Sequence, residues 1–276
     1  KEVVDYMIQE YKEGRTPNPD VMCNKYVKFG GFFDWAISQG AEYVATGHYA
    51  SVEKGTQNEG DAMSLYQLKM SADTNKDQTY FLWTLTQKQL RQTLFPIGDM
   101  EKSEVRKLAT RFKLPTAEKK DSQGLCFIGM VDMKEFLSHY IPLQQGDVLN
   151  VQGKKIGSHA GAFLFTVGER HGFVITEKTP HDTPYYVVSK DIENNTITVS
   201  QKTDHGVLPL TSKRVTLRDT IWNQGSIPTQ VELMARARYR EELTPIRFQD
   251  QHTFEFVTQA HLVSPGQSVV VYDGAV

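Results

Sequence analysis

Residues 29–50 read Phe29-Gly-Gly-Phe-Phe-Asp-Trp-Ala-Ile-Ser-Gln-Gly-Ala-Glu-Tyr-Val-Ala-Thr-Gly-His-Tyr-Ala50, and they decide the fold class of the first part of the chain. Phe29, Phe32, Phe33, Trp35, Ala36 and Ile37 recur at helical spacing as far as Gly40. Glu42–Thr46 then reads as a short buried strand, and Gly47-His48 turns directly out of it. Helix, strand and glycine turn in that order is α/β grammar. Ligands of open α/β sheets sit beyond the carboxyl ends of strands, so Gly47 and His48 stand where a site is expected.

Upstream, residues 1–14 predict an amphipathic helix ending near Gly14. Arg15-Thr-Pro-Asn-Pro-Asp-Val-Met-Cys23 follows, and two prolines within three residues forbid regular helix there. Downstream, 54–61 is a polar loop and Met63–Met70 a strand. From about 73 to 140 the pattern is helical. Thr86 and Gln89 form a capping-box pair, Ser103 starts a second helix that ends before Pro115, and Asp132–Tyr140 is a third. After Pro142 short β-rich runs alternate with turns: 148–151, 163–167, 185–188, 196–199, 215–218, 231–239, 254–257 and 268–272. Asn194-Asn195 is a hairpin turn between two of them. Such spacing predicts a barrel or sandwich. The expected class is α/β plus β, with segments 1–71, 72–145 and 146–276.

Composition removes several alternatives. Across 276 residues the formal charge is −2, with 39% hydrophobic and 23% charged residues, so disorder is excluded. No apolar run is long enough for a membrane-spanning helix. Any basic footprint must be local. Two distant cysteines, Cys23 and Cys126, make neither a disulfide scaffold nor a CxxC metal pair, and no metal site is expected. A reducing, cytoplasmic setting follows. Neither end reads as a finished terminus. Lys1 falls within a helical pattern and Val276 follows a strand, so a piece of a longer protein is expected.

Several residues could carry chemistry. Cys23 follows the proline loop at a predicted helix start, with Lys25 and Lys28 nearby, a setting that favours thiolate; the alternative is a buried structural cysteine. Cys126 lies in a glycine-punctuated loop beside Lys119 and Lys120, as a thiol carrier would, or packs there incidentally. Asp20 could transfer a proton or cap the helix. His48 could be a general base or a ligand contact, or neither. Arg236, Arg238 and Arg240 alternate, so a strand would put all three on one phosphate-binding face, extended by Arg214, Arg218 and Arg247; the alternative is a solvated face paired with Glu241 and Glu242.

Taken in order, eight segments resemble the tRNA-specific 2-thiouridylases (the MnmA/TrmU family). They are Gly14-Arg-Thr-Pro-Asn-Pro-Asp-Val-Met-Cys-Asn-Lys25, Tyr43–Ala50, Asn75-Lys-Asp-Gln-Thr-Tyr-Phe-Leu82, Phe95-Pro-Ile-Gly98, Lys120-Asp-Ser-Gln-Gly-Leu-Cys-Phe-Ile-Gly129, Gly168-Glu-Arg-His-Gly172, Arg238-Tyr-Arg240 and Ser264-Pro-Gly-Gln267. The resemblance implies an ATP-binding PP-loop domain of Rossmann type, a small helical central domain and a C-terminal β-barrel. It implies adenylation of a wobble uridine in tRNA with ATP and Mg2+, then sulfur transfer from a cysteine persulfide. Cys126 would be the persulfide carrier and Cys23 its partner nucleophile, joined transiently as a disulfide. Asn18, Pro19 and Asp20 would contact the target base, with Asp20 moving a proton. Gly47 would line the ATP site. His48, Lys76, Asp77, Gln78, Arg238, Tyr239 and Gln267 would contact tRNA. A cysteine desulfurase or a relay protein would donate sulfur; no membrane partner is implied. The family's SGGxDS phosphate loop does not occur in these residues, so alone they are expected not to bind ATP productively. The competing classes are a non-catalytic RNA-binding β-barrel protein and a two-cysteine thiol–disulfide protein.

Overall fold

The structure, a computed structural model, describes residues 1–55, 65–119, 129, 132–176, 183–202, 212–223, 225, 227, 233–258, 261, 263–274 and 276. Cys126 and most of the predicted loop after Lys54 lie outside the described residues. The chain divides into two compact units.

The first unit comprises Lys1–Pro19, Met130–Thr216 and Thr253–Ser268. Its helix Glu2–Lys12 buries Val3 and Met7 on one face. Gly14 ends it at φ +73, where an added Cβ would stand 2.4 Å from Ile192 Cγ1, so only glycine fits. The helix Met133–Ser138 is capped by Asp132, whose carboxylate accepts from Glu135 N at 3.0 Å. A five-stranded sheet follows, in the order Phe173–Ile175, Lys155–His159, Gly146–Leu149, Thr196–Gln201, Tyr185–Asp191. Strands 146–149 and 196–201 are parallel; the other neighbours are antiparallel. Period-two burial puts Val148, Ile156, Ile175, Val187, Ile197 and Val199 into one core with Ala162 and Phe165. Asn195, at φ +50, makes the expected turn between the last two strands.

One expectation fails here, and one strand was not foreseen. Residues 163–167 form no strand: Ala162–Leu164 is a 3-10 turn after Gly161. The polar stretch Lys155–His159 is a strand, although Lys-Ile-Gly-Ser-His carries little β signal. Gly157 explains it, because an added Cβ would meet Val174 O at 2.0 Å across the ladder.

The second unit comprises Asp20–Gly129, Leu217–His252 and Val269–Val276. One continuous helix runs through Pro19–Cys23, a π-helical stretch Asn24–Phe32, and Phe33–Ser38. Gly30 permits the wide turn, since a Cβ there would come within 2.8 Å of Lys25 O. The predicted strand shrinks to Val44–Ala45, paired in parallel with Thr93–Leu94. A parallel pair needs a crossover, which is the α/β signature. The capping box Thr86/Gln89 forms as expected. The helix Lys102–Arg111 starts one residue earlier than predicted: Glu101 and Glu104, not Ser103, make its box. Thr244–Phe248, Leu233–Arg236 and Val270–Tyr272 are neighbouring antiparallel strands, the middle one between the other two. Among the described residues no helix is long and apolar enough to cross a membrane.

Candidate active site

Two sequence-distant motifs of the first unit close on the proline loop. Thr16 N donates to Pro265 O at 2.9 Å, and Gln267 Nε2 donates to Thr16 O at 2.9 Å and Pro17 O at 3.3 Å. Gly266 sits at φ +91, and an added Cβ would lie 2.8 Å from Thr16 O. Ser264 Oγ donates to Val167 O at 2.9 Å, while Thr16 Oγ1 bonds Thr166 Oγ1 at 3.2 Å. So Ser264–Gln267 and the 166–169 segment both grip the loop just before Asn18. Arg15 is engaged by carboxylates: Glu10 takes its Nε at 2.6 Å and Glu13 its other end. Asn18 is buried, and Pro19 opens the helix, where its missing N–H costs nothing.

Asp20 and Cys23 stand differently from expectation. Asp20 is inside the first helical turn, not its cap; the helix dipole favours a carboxylate there. Cys23 closes that short segment and continues into the π stretch. It is buried at 2% exposure, as its alternative reading as a packed cysteine has it. Its neighbour Asn24 donates to Phe81 O at 3.0 Å.

The turn after Val44–Ala45 holds a second constellation. His48 is buried, its ring flanked by Phe29 and Phe95. Burial first, and the Lys28 ammonium second, push its pKa down from 6.5 to about 3. The imidazole is therefore neutral at physiological pH. Lys28 Nζ lies 3.3 Å from Nε2 and must donate, so Nδ1 carries the proton and donates to Thr46 Oγ1 at 2.8 Å. A base of such low pKa is a poor proton acceptor, so the general-base reading of His48 is dropped. Gly47 leaves open space: an added Cβ meets nothing within 4 Å.

The expected arginine stripe does not exist. The strand ends at Arg236, and 237–240 turn, with Arg240 at φ +64. Arg236 points inward at 7% exposure. Its Nη1 lies 3.7 Å from Asp77 Oδ2, its Nη2 donates to Met70 Sδ at 3.4 Å, and its guanidinium stacks 4.9 Å from the Tyr272 ring centroid. Asp77 is itself buried and accepts from Ser71 N at 3.2 Å and Thr79 Oγ1 at 2.8 Å. Thr79 Oγ1 also meets the Tyr272 hydroxyl at 3.1 Å, and burial keeps that phenol protonated, its pKa near 12. Gln78 is spent on the backbone, accepting from Tyr49 N at 3.0 Å. Arg238 and Tyr239 are half-buried on the turn, Tyr239 packing 4.5 Å from the Phe81 ring. Lys76 is half-buried. Arg214 and Arg218 pair with Glu255 and Asp219. So Arg214 and Arg218 are engaged with carboxylates, and Arg236 belongs to a core ion pair.

Comparison with known proteins gives these arrangements a context. Residues 1–130 match a family model described as the tRNA methyl transferase HUP domain. Residues 134–201 match a tRNA methyl transferase PRC-barrel domain, and 212–276 an aminomethyltransferase beta-barrel domain. The chain is 44% identical to the tRNA-specific 2-thiouridylase MnmA of Staphylococcus carnosus, over 99% of this chain and 72% of that protein. It is 42% identical to the MnmA of Lacticaseibacillus paracasei and 44% to that of Lactococcus lactis subsp. lactis, with similar coverage. The chain belongs to the tRNA-specific 2-thiouridylase family. Family membership gives the proline loop and the Thr46–His48 turn a common frame: both fall within the segment matched by the HUP domain.

Three features escaped the reading of the sequence. Thr46 and Lys28 were not linked to His48, and Ser264–Gln267 carried only a family likeness. The Pro265-Gly266 pair is a turn signal, and a turn between strands was the one available hint that backbone meets backbone there.

Proposed function

We propose that the protein is an ATP-dependent tRNA sulfurtransferase that makes 2-thiouridine at the wobble position. The observation that carries this is the 44% identity to a protein named tRNA-specific 2-thiouridylase, across nearly all of the chain. The held loop before Asp20 is what such chemistry needs, because a base must be fixed while two reagents reach it in turn.

In this reading the uridine 2-oxygen attacks the α-phosphate of ATP, taken with Mg2+, and pyrophosphate leaves. The outer sulfur of a Cys126 persulfide attacks C2, and AMP departs with the oxygen. Cys23 thiolate then attacks Cys126 Sγ. The S–S bond breaks toward the new thiouridine, a Cys23–Cys126 disulfide forms, and a thiol reductant reopens it. Asp20 moves the proton, while Asn18 and Pro19 contact the base. Gly47 leaves room for the nucleotide. Lys76, Arg238 and Tyr239 contact tRNA. His48, Asp77, Gln78 and Gln267, read with them as tRNA contacts, act from buried or engaged positions, Gln267 at Thr16 and Pro17 and Gln78 at Tyr49 N. A cysteine desulfurase or relay protein supplies sulfur, in the cytoplasm.

The test is Cys126→Ser in the full-length protein. Thiolation should vanish while tRNA binding persists. Retained thiolation would sink the carrier assignment, and tRNA binding with no thiolation by the unmutated protein would favour a non-catalytic RNA-binding role.

A further inference from the structure

The Lys28 ammonium is placed as a cation that awaits an anion. It is half-buried on the π-helical stretch Asn24–Phe32. Among the described residues no carboxylate pairs with it; its polar partner is the neutral His48 Nε2 at 3.3 Å. An ammonium whose partner is a neutral acceptor keeps its full charge for an anion. Here the partner instead fixes direction without cancelling charge. Thr46 locks the tautomer through Nδ1 at 2.8 Å, so Nε2 must accept. Thr46 and His48 flank Gly47, in the turn that leaves the carboxyl end of Val44–Ala45. That is where ligands of α/β sheets sit.

The π stretch matters to this placement. Five residues along an α-helix rotate a side chain by about 140°. The wider π turn reduces that rotation, so Lys28 lies nearer the side of the helix that carries Cys23 than an α-helix would place it. π turns are frequent at functional sites.

We propose that Lys28 binds a phosphate oxygen of the nucleotide held beyond Ala45, oriented by the Thr46–His48 pair. The proposal rests on the reading that a nucleotide binds at the Gly47 turn. The anion is assigned to the nucleotide, not to tRNA backbone, because the ammonium is partly enclosed and faces the strand end.

Titration calorimetry of the full-length protein with adenosine, AMP and ATP tests it. Lys28→Met should weaken ATP binding about ten- to a hundredfold, the range of a charge-assisted contact, and leave adenosine binding unchanged. Lys28→Arg should keep most of the ATP affinity. His48→Leu, which removes the orienting acceptor, should fall between them. Lys28→Gln carries the same test should Lys28→Met lose its cooperative melt. ATP affinity within about twofold of the unmutated protein in a folded Lys28→Met variant would overturn the proposal. So would loss of tRNA affinity with ATP binding intact. If the unmutated protein binds adenosine but ATP no better, the phosphate assignment alone fails. If it binds neither, the nucleotide reading fails and takes the lysine's role with it.

Discussion

The loop before Asn18 and the turn before Arg238 are held in place by opposite means. Thr16 and Pro17 are gripped through neutral hydrogen bonds to main-chain carbonyls, from Gln267, and by the close approach of Gly266. Each such bond contributes about 1 kcal/mol net, and each can be broken and remade. The 237–240 turn follows Arg236, whose charge is buried against Asp77, both almost fully enclosed, and is tied at Ala237 by the Tyr80 hydroxyl at 3.2 Å and Glu241 Oε2 at 2.9 Å. A buried pair adds little net stability but is ruinous to split. The first region is therefore the more adjustable, as the chemistry proposed for it needs. The second, anchored beside a buried charge, is the less adjustable, which suits the tRNA contacts proposed for Arg238 and Tyr239. The exposed pair Arg214–Glu255, with side chains 63% and 39% exposed, belongs to neither kind and contributes about 0–1 kcal/mol.

The sharpest way to break this contrast is to remove one charge of the buried pair. Asp77→Ala leaves Arg236 enclosed without a counter-ion, removes the acceptor of Ser71 N, and leaves Thr79 Oγ1 with the Tyr272 hydroxyl alone. It should cost about 3–5 kcal/mol in urea denaturation. Replacing both partners, Asp77→Leu with Arg236→Met, should recover much of that loss. A cost below about 1 kcal/mol for Asp77→Ala would mean that the pair is not what holds the turn.

A neutral group held beside a charge lies between the two cases, and pH probes it. His48 titrates at about 3 in the fold against 6.5 when free. Between these values the unfolded chain binds a proton that the folded chain refuses, so stability rises with pH across that window. The contribution is complete above 6.5 and is lost as pH falls toward 3, at about 1.4 kcal/mol per unit. Moving from pH 7 to pH 5 should cost about 2 kcal/mol in the unmutated protein and much less in His48→Gln. Equal losses in both would show that His48 is not the group responsible.

How much of this was legible in the sequence depended on how local its cause was. Thr86 and Gln89 lie three residues apart, and their box formed as read. Gly14, Asn195 and the proline loop are also local, and they punctuate the chain where expected. The family likeness over the ordered motifs was equally readable, because it rests on residue identity alone. Arg236 was misread because alternation looks the same on a solvated strand and on one that ends at a core ion pair; Asp77, its partner, is remote in sequence. The π stretch was unreadable because the residues that make it also make an α-helix, and only the Gly30 contact with Lys25 O marks the difference. His48 stood where a ligand was expected, but its burial depends on Phe29, Phe95 and Lys28 converging on one ring.

The smallest stability effect tests the adjustable region. Gln267→Leu removes both donors to Thr16 O and Pro17 O, at about 1–2 kcal/mol. The melting temperature should therefore fall only slightly. The effect on single-turnover thiolation should be larger, about tenfold or more, because small misplacements of a reacting group cost rate steeply. Gln267→Glu separates shape from hydrogen bonding. It keeps the size of the side chain but replaces a donor with a carboxylate that can only accept, aimed at two carbonyl oxygens. If the loop is held by donated hydrogen bonds, Gln267→Glu must be worse than Gln267→Leu in both melt and rate. If Gln267→Glu instead matches the unmutated protein, the fit of Gly266 against Thr16 is the hold, and Gln267 only fills the space beside it.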